Sequence, residues 1–371
     1  MPLVIPPRDV LLQTAETLLI AAAGGITLAM LGIPAGLVSG SVVTVAIAAL
    51  AGRQMTVPNG LQRVCFIFIG ILLGAIVTPE TLKGFATWPL SIAVLVVGTI
   101  AMIAATTTYL RFVHGWNWVS AFLGASPGAM AQVIALAAEF KADIRGVAIV
   151  QVMRVLLIMV GLPGTLALFG HAAGGVFGAP EPVGGSSLLE LAILFVVSTA
   201  FALFLRWMKF PGGMLFGAML GSAILHGTGW VHAILPWWLG GGAVIVLGAV
   251  AGSRFSNTSW RTVVDYLGAA IGSFVVAVAV VACFGALVVV LLPFRLADVV
   301  IAFAPGAQDQ MMLLALALTL DPVYVGAHHV ARWMVCTFSL AIFAKSMSIG
   351  KGDPPPEQKP WTRPGQGMTD D

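Results

Sequence analysis

Hydrophobic positions run in long blocks with short interruptions. Apolar stretches occupy 10–31, 34–51, 58–77, 88–110 and 144–169, and again 188–207, 211–228, 236–253, 263–292 and 322–347. Each is close to the ~20 residues a helix needs to cross ~30 Å of hydrocarbon. The blocks predict about ten transmembrane helices. Between the fifth and sixth lies 170–187, rich in Gly, Ala and Pro, which reads as a loop. From 348 the chain turns polar and Pro-rich, a composition that cannot bury a core. The chain divides into a first membrane repeat at 10–169, a linker at 170–187, a second repeat at 188–347 and a disordered tail at 348–371.

Within this apolar background a set of polar and turn residues occurs twice. Pro127-Gly128-Ala129, Gln132, Asp143 and Arg154 recur 178 positions later as Pro305-Gly306-Ala307, Gln310, Asp321 and Arg332. Pro58, Gly70 and Gly74 match Pro236, Gly248 and Gly252 at the same offset, and Pro34, Gly36 and Gly40 match Pro211, Gly213 and Gly217 at 177. Polarity repeated at a depth where it is expensive points to a site built from two halves.

Pro127-Gly128 cuts 117–140 into two pieces, each too short to span. Loop charge decides between a crossing and a re-entrant turn, because Lys and Arg gather on the cytoplasmic side. With the N-terminus inside and both Pro-Gly segments turning back, Arg53, Arg111, Arg206, Lys209, Arg254, Arg261, Lys345 and Lys351 all fall inside, while 170–187 falls outside in the periplasm. Lys83 and Arg295 are exceptions. Five crossings and one hairpin per half invert the second half relative to the first. The expected fold is therefore an all-α integral membrane protein of two inverted five-helix repeats, each with a Pro-Gly-broken re-entrant helix and with both termini cytoplasmic. Inverted repeats with interrupted helices are a transporter architecture.

Composition agrees: 59% hydrophobic against 9% charged residues, with a mean hydropathy of +1.01, leaves too little polar surface for a soluble chain. A net charge of +3, spread over loops, offers no nucleic-acid footprint. Cys65, Cys283 and Cys336 lie inside apolar segments and read as buried small residues, with no disulfide or metal framework.

Asp143 and Asp321 precede helical runs and read as helix caps or as ion-coupling groups. Arg154 and Arg332, each 11 residues further on, would sit about 16 Å into their helices. An unpaired Arg at that depth costs at least ~2.5–3.5 kcal/mol. It needs either a buried carboxylate (Asp309, Glu139 or Asp298) or an anionic ligand. Ser126-Pro127-Gly128 reads as the capped start of a half-helix whose N–H groups attract negative charge. Gly128 and Gly306 would admit a ligand to the backbone, and Gln132 and Gln310 could donate to it or accept from it. His329 lies one turn from Arg332, while no third residue completes a metal set with His328 and His329.

These residues resemble the AbrB family of bacterial membrane proteins, whose hallmark is a duplicated hydrophobic domain with a Pro-Gly-Ala or Pro-Gly-Gly turn, a downstream Asp and an Arg in the following helix. Gln151 belongs to the matching set in the first copy; His329 replaces it in the second. Members carry labels as transport proteins, as regulators of another gene's expression and as ammonia monooxygenases. The scattered His residues argue against the last, which needs clustered metal ligands. The expectation is a non-enzymatic secondary transporter without cofactor or metal. It would hold a small, anionic solute at a midplane site of Pro127, Gly128, Ala129, Gln132, Gln151 and Arg154 with Pro305, Gly306, Ala307, Gln310, His329 and Arg332. Asp143, Asp321 and Asp309 would serve ion coupling or capping. Expected partners are the lipid bilayer, the solute and H⁺ or Na⁺, with room for a homo-oligomer and no nucleic acid. The alternative is a membrane-embedded regulator or sensor acting on gene expression indirectly.

Overall fold

The computed structural model describes residues 8–77, 88–127, 130–168 and 187–349. Among them the fold is all-helical, with fourteen α-helices and one short 3₁₀ turn. Seven fall in each half: α1 (Arg8–Met30), α2 (Gly36–Leu50), α3 (Asn59–Ala75), α4 (Trp88–Val113), α5 (Trp118–Ala125), α6 (Met130–Glu139) and α7 (Ile144–Leu168), then α8 (Leu188–Trp207), α9 (Gly213–Gly227), α10 (Trp237–Gly252), α11 (Trp260–Leu291), α12 (Leu296–Phe303), α13 (Gln308–Ala317) and α14 (Pro322–Ile349). Seven helices are long and apolar enough to cross a membrane: α1, α4, α7, α8, α10 with its 3₁₀ extension, α11 and α14. They mark the chain as a membrane protein. Gly128, Ala129, most of the expected linker (170–186) and the tail from 350 lie outside the described residues.

Each of the ten expected segments falls on a helix, but α2, α3 and α9 have only 15 to 17 residues. At 1.5 Å per residue, 15 residues rise about 22 Å, short of ~30 Å of hydrocarbon. The shortness follows from their place in the middle of the bundle, where most of the side chains of α2 and α9 are buried by other helices. Both start from a left-handed residue, Ala35 at φ 51° and Gly212 at φ 63°, which bends the chain sharply after α1 and α8.

The halves interlock through small residues. A Cβ on Gly70 or Gly74 of α3 would lie 2.4 Å from the carbonyl oxygen of Leu215 or Met219 on α9. On α10, a Cβ on Gly252 would lie 2.6 Å from the Val42 carbonyl oxygen of α2, and one on Gly248 would lie 2.7 Å from Ser41 Cβ. Spacing of small residues by four lets helix backbones approach this closely where no hydrophobic effect drives association. The register of the contacts makes α3 parallel to α9 and α2 parallel to α10. Ser222 Oγ of α9 donates to the Ile71 carbonyl at 2.7 Å and adds a polar tie across the same seam.

Both broken segments close on themselves. The backbone N–H of Asp143, just before α7, donates to Ser120 Oγ in the first turn of α5 at 2.9 Å. In the second half the N–H of Asp321 donates to Asp298 Oδ1 of α12, also at 2.9 Å. The two bonds are equivalent under the 178-residue offset. The eight-residue arms α5 and α12 thus begin beside the starts of α7 and α14. Lys141 and Thr319, equivalent and both at φ 51°, make the last turn before α7 and α14.

Candidate functional site

The first arm of each hairpin ends at a proline. Ser126 (ψ 111°) and Ala304 (ψ 132°) take the extended backbone forced on a residue before Pro, which stops α5 and α12. Ser126 thus closes α5, its hydroxyl donating to the Phe122 carbonyl at 2.9 Å, and does not open the following helix as the sequence suggested. In the second half Ala307 is the residue preceding α13. Met311 fills the space beside Gly306, its side-chain atoms 2.6 Å from where a Cβ would stand.

Stopping an eight-residue helix deep in the bundle leaves its last carbonyls without partners, at the negative end of the helix dipole. The next long helix supplies them. Arg154 of α7 donates from Nη2 to the Gly124 carbonyl at 2.7 Å and from Nη1 to that of Ala125 at 3.4 Å. Arg332 of α14 donates to the carbonyls of Ala302 and Ala304. One turn earlier, Gln151 Nε2 donates to the Leu123 carbonyl at 3.1 Å, and His329 Nε2 lies 3.1 Å from the Ile301 carbonyl. Leu123 and Ile301 are themselves equivalent, so Gln and His perform the same capping at matched positions.

This sets aside the buried carboxylates, one of the two partners the sequence offered for the arginines. Asp298 is engaged by Arg295, Nε to Oδ2 at 2.7 Å. Asp309 faces Arg254 at 3.6 Å, and Glu139 sits on the exposed surface of α6. Backbone dipoles do the neutralising instead.

A cavity of about 90 Å³ lies where the two breaks meet. Pro127, Gln151 and Arg154 line it from the first half, and Pro305, Ala307 and Asp309 from the second. Arg154 is 2% exposed, and its Nε–H has no hydrogen-bond partner. Gln310 lies just behind, its Nε2 donating to Asp309 Oδ2 at 3.0 Å. Met130 and Arg254 also line the cavity; sequence reading missed both. Arg254 looked like a loop charge, and Met130 aligns with Gln308, so no duplicated signal marks either. The structure does not bring the remaining candidates into this cavity. Gln132 is exposed, while Arg332 and His329 of α14 and Gly306 do not line it.

Asp143 and Asp321 sit at the outer ends of α7 and α14. Asp143 accepts from the Gly146 N–H at 3.1 Å and from Tyr266 Oη of α11 at 2.6 Å. Asp321 accepts from the N–H groups of Val323 and Tyr324 at 2.9 and 3.1 Å. Burial pushes its carboxyl above the usual carboxylate range, partly offset by those two N–H groups. His328 is fully buried between Ser91 Oγ and the Tyr324 carbonyl, both at 2.8 Å. Cys65 and Cys336 are buried, but Cys283 is on the exposed face of α11, contrary to the reading of three buried thiols. Among the described residues no group of His, Cys, Asp and Glu could hold a metal ion.

Residues 37–348 match the family model described as Transition state regulatory protein AbrB. The chain is 26% identical over 344 residues to YhjN, an uncharacterized protein of Bacillus subtilis (strain 168), spanning 87% of this chain and 90% of that one. It is also 26% identical over 233 residues to a candidate regulator of Escherichia coli (strain K12) named AbrB, spanning 61% of this chain and 65% of that one. With most of its length covered by the family model, the chain belongs to the AbrB family.

Proposed function

We propose that the protein is a secondary transporter of a small, anionic solute, built of ten membrane helices in two inverted halves with re-entrant hairpins meeting near the midplane. The observation that carries this reading is the cavity between the two hairpins, lined by both prolines and by Arg154 with its unpartnered Nε–H. A site made of two symmetry-related breaks lets one half rock against the other around a fixed ligand. The antiparallel relation of α2 to α9 supports the inversion: α9 runs with α3, and α2 runs with α10.

The lining carries Arg154 and Arg254 against Asp309, one positive charge in excess, which favours an anion. A volume of about 90 Å³ is far below the ~300–1,000 Å³ of drug-sized pockets, so the solute is small. In this reading the Asp309–Arg254 pair gives way to the ligand, and Asp309 is the group that could take up a coupling H⁺ or Na⁺. In this reading the chain lies in the inner membrane with both termini cytoplasmic, because alternating crossings put Arg8, Arg53, Arg111, Arg206, Lys209 and Arg261 on one side, against Arg295 on the other.

The test is a thermal-shift screen of purified protein against small carboxylates, amines and amino acids. A carboxylate should stabilise the wild type, and Arg154→Gln should abolish the response. Selective stabilisation by amines, or an equal response in Arg154→Gln, would sink the anion site. A regulator, as the Escherichia coli relative is named, would bind a ligand without moving it across a membrane, so uptake separates the two readings.

A further inference from the structure

A second, larger cavity of about 570 Å³ opens at the end of the bundle where α8 passes into α9 and α3 begins. Three cations line it: Arg63 of α3, Arg206 at the end of α8, and Lys209 in the turn that follows, all exposed. Asn59, Gln62 and Gln308 add amide groups, and Asp309 is the one carboxylate in the lining. Asp309 also lines the small central cavity, so the two spaces share a wall.

The two-fold pattern makes this basin informative. Positions equivalent to Arg63, Arg206, Lys209 and Asp309 in the other half are Gly241, Ala29, Gly32 and Ala131. No charge in the basin has a charged equivalent in the other half. Charge asymmetry at loop ends is expected from membrane orientation alone. Orientation, however, does not require three cations from two helices to converge on one concave space beside the central cavity.

We infer that this basin is a binding site for a phosphate group, either on a free solute or on a lipid headgroup. Three cations and three amides around one opening suit a tetrahedral group with several oxygens, each able to accept from a different side. A lone carboxylate would leave one cation unmatched. The binding stands on the basin itself; its role as an entrance to the central site rests on the transport reading.

The experiment uses the full chain purified in neutral detergent, with its melting temperature followed against inorganic phosphate at constant ionic strength. A saturable rise is expected, with half-saturation moved at least about tenfold in Arg63→Gln and Lys209→Gln. Arg261→Gln, which removes an exposed cation at the same end outside the basin, should respond like wild type. A second arm compares nanodiscs of phosphatidylcholine with and without phosphatidylglycerol. If the headgroup is the ligand, phosphatidylglycerol stabilises wild type but not the basin variants, and free phosphate then adds nothing. If the ligand is free in solution, the phosphate response persists in both discs. No basin-dependent response in either arm, or the same loss in Arg261→Gln, overturns the inference. A response lost in Arg154→Gln and kept in the basin variants would assign phosphate to the central cavity, ending this inference and sparing the transport reading.

Discussion

Arg154 and Arg332 are held by main-chain oxygens, and that decides what their removal does. Two charge-assisted bonds at about 1.5–3 kcal/mol each offset the ~2.5–3.5 kcal/mol of placing a guanidinium at this depth. Arg332→Gln should therefore lower unfolding stability in detergent by about 3 kcal/mol, since the carbonyls of Ala302 and Ala304 lose both donors. Arg332→Lys should recover less than half, because an ammonium cannot fork between two acceptors. A change under about 1 kcal/mol in Arg332→Gln would refute the capping role. Sequence reading identified the arginines but not their partners, because a backbone carbonyl has no side-chain signature and the stop at Ser126 was read as a start. Tyr266 was equally hidden: it meets Asp143 across 123 positions, and the repeat does not point to it, since its equivalent is Trp88. Tyr266→Phe should cost about 1–2 kcal/mol by the same measurement, and a neutral result would make that contact incidental.

The element scale turns on close helix packing. At Gly74 and Gly252 an added Cβ meets a neighbouring backbone oxygen at 2.4 and 2.6 Å, and backbone cannot step aside as a flexible side chain can. Gly74→Ala and Gly252→Ala should each destabilise by about 1–3 kcal/mol through overpacking. Gly242, also inside α10, has nothing within 4 Å of its added Cβ, so Gly242→Ala should be neutral or stabilising by up to about 1 kcal/mol. Equal effects at all three positions would show that helix propensity, not packing, governs these glycines. The glycine pairs were visible in the sequence as repeats. Which helices they join was not, because α3 meets α9 from the other half and no periodicity within either segment encodes a partner so far along the chain. The lengths of α2, α3 and α9 were overestimated for a related reason: hydropathy cannot tell a short helix enclosed by protein from one facing lipid.

For the whole molecule, the repeat offset of 178 is matched by two equivalent bonds, from the Asp143 N–H to Ser120 Oγ and from the Asp321 N–H to Asp298 Oδ1. What it could not foretell was the breaking of symmetry in the central cavity, where Arg154 lines the space and Arg332 does not, and where Arg254 and Asp309 have Ile76 and Ala131 as equivalents. Orientation is checked by single cysteines in a background lacking Cys65, Cys283 and Cys336. With an impermeant thiol reagent on whole cells, Phe177→Cys in the inter-repeat segment should be labelled and Pro355→Cys in the tail should not. Labelling at both, or at 355 alone, would remove the inverted arrangement. The most direct measurement of the central claim is counterflow uptake by proteoliposomes of the carboxylate that best stabilises the protein. Wild type should accumulate the labelled solute against a preloaded unlabelled pool, and well-folded Arg154→Gln should not. Binding without any counterflow in wild type, or undiminished counterflow in Arg154→Gln, would contradict a transporter whose solute is held between the two hairpins.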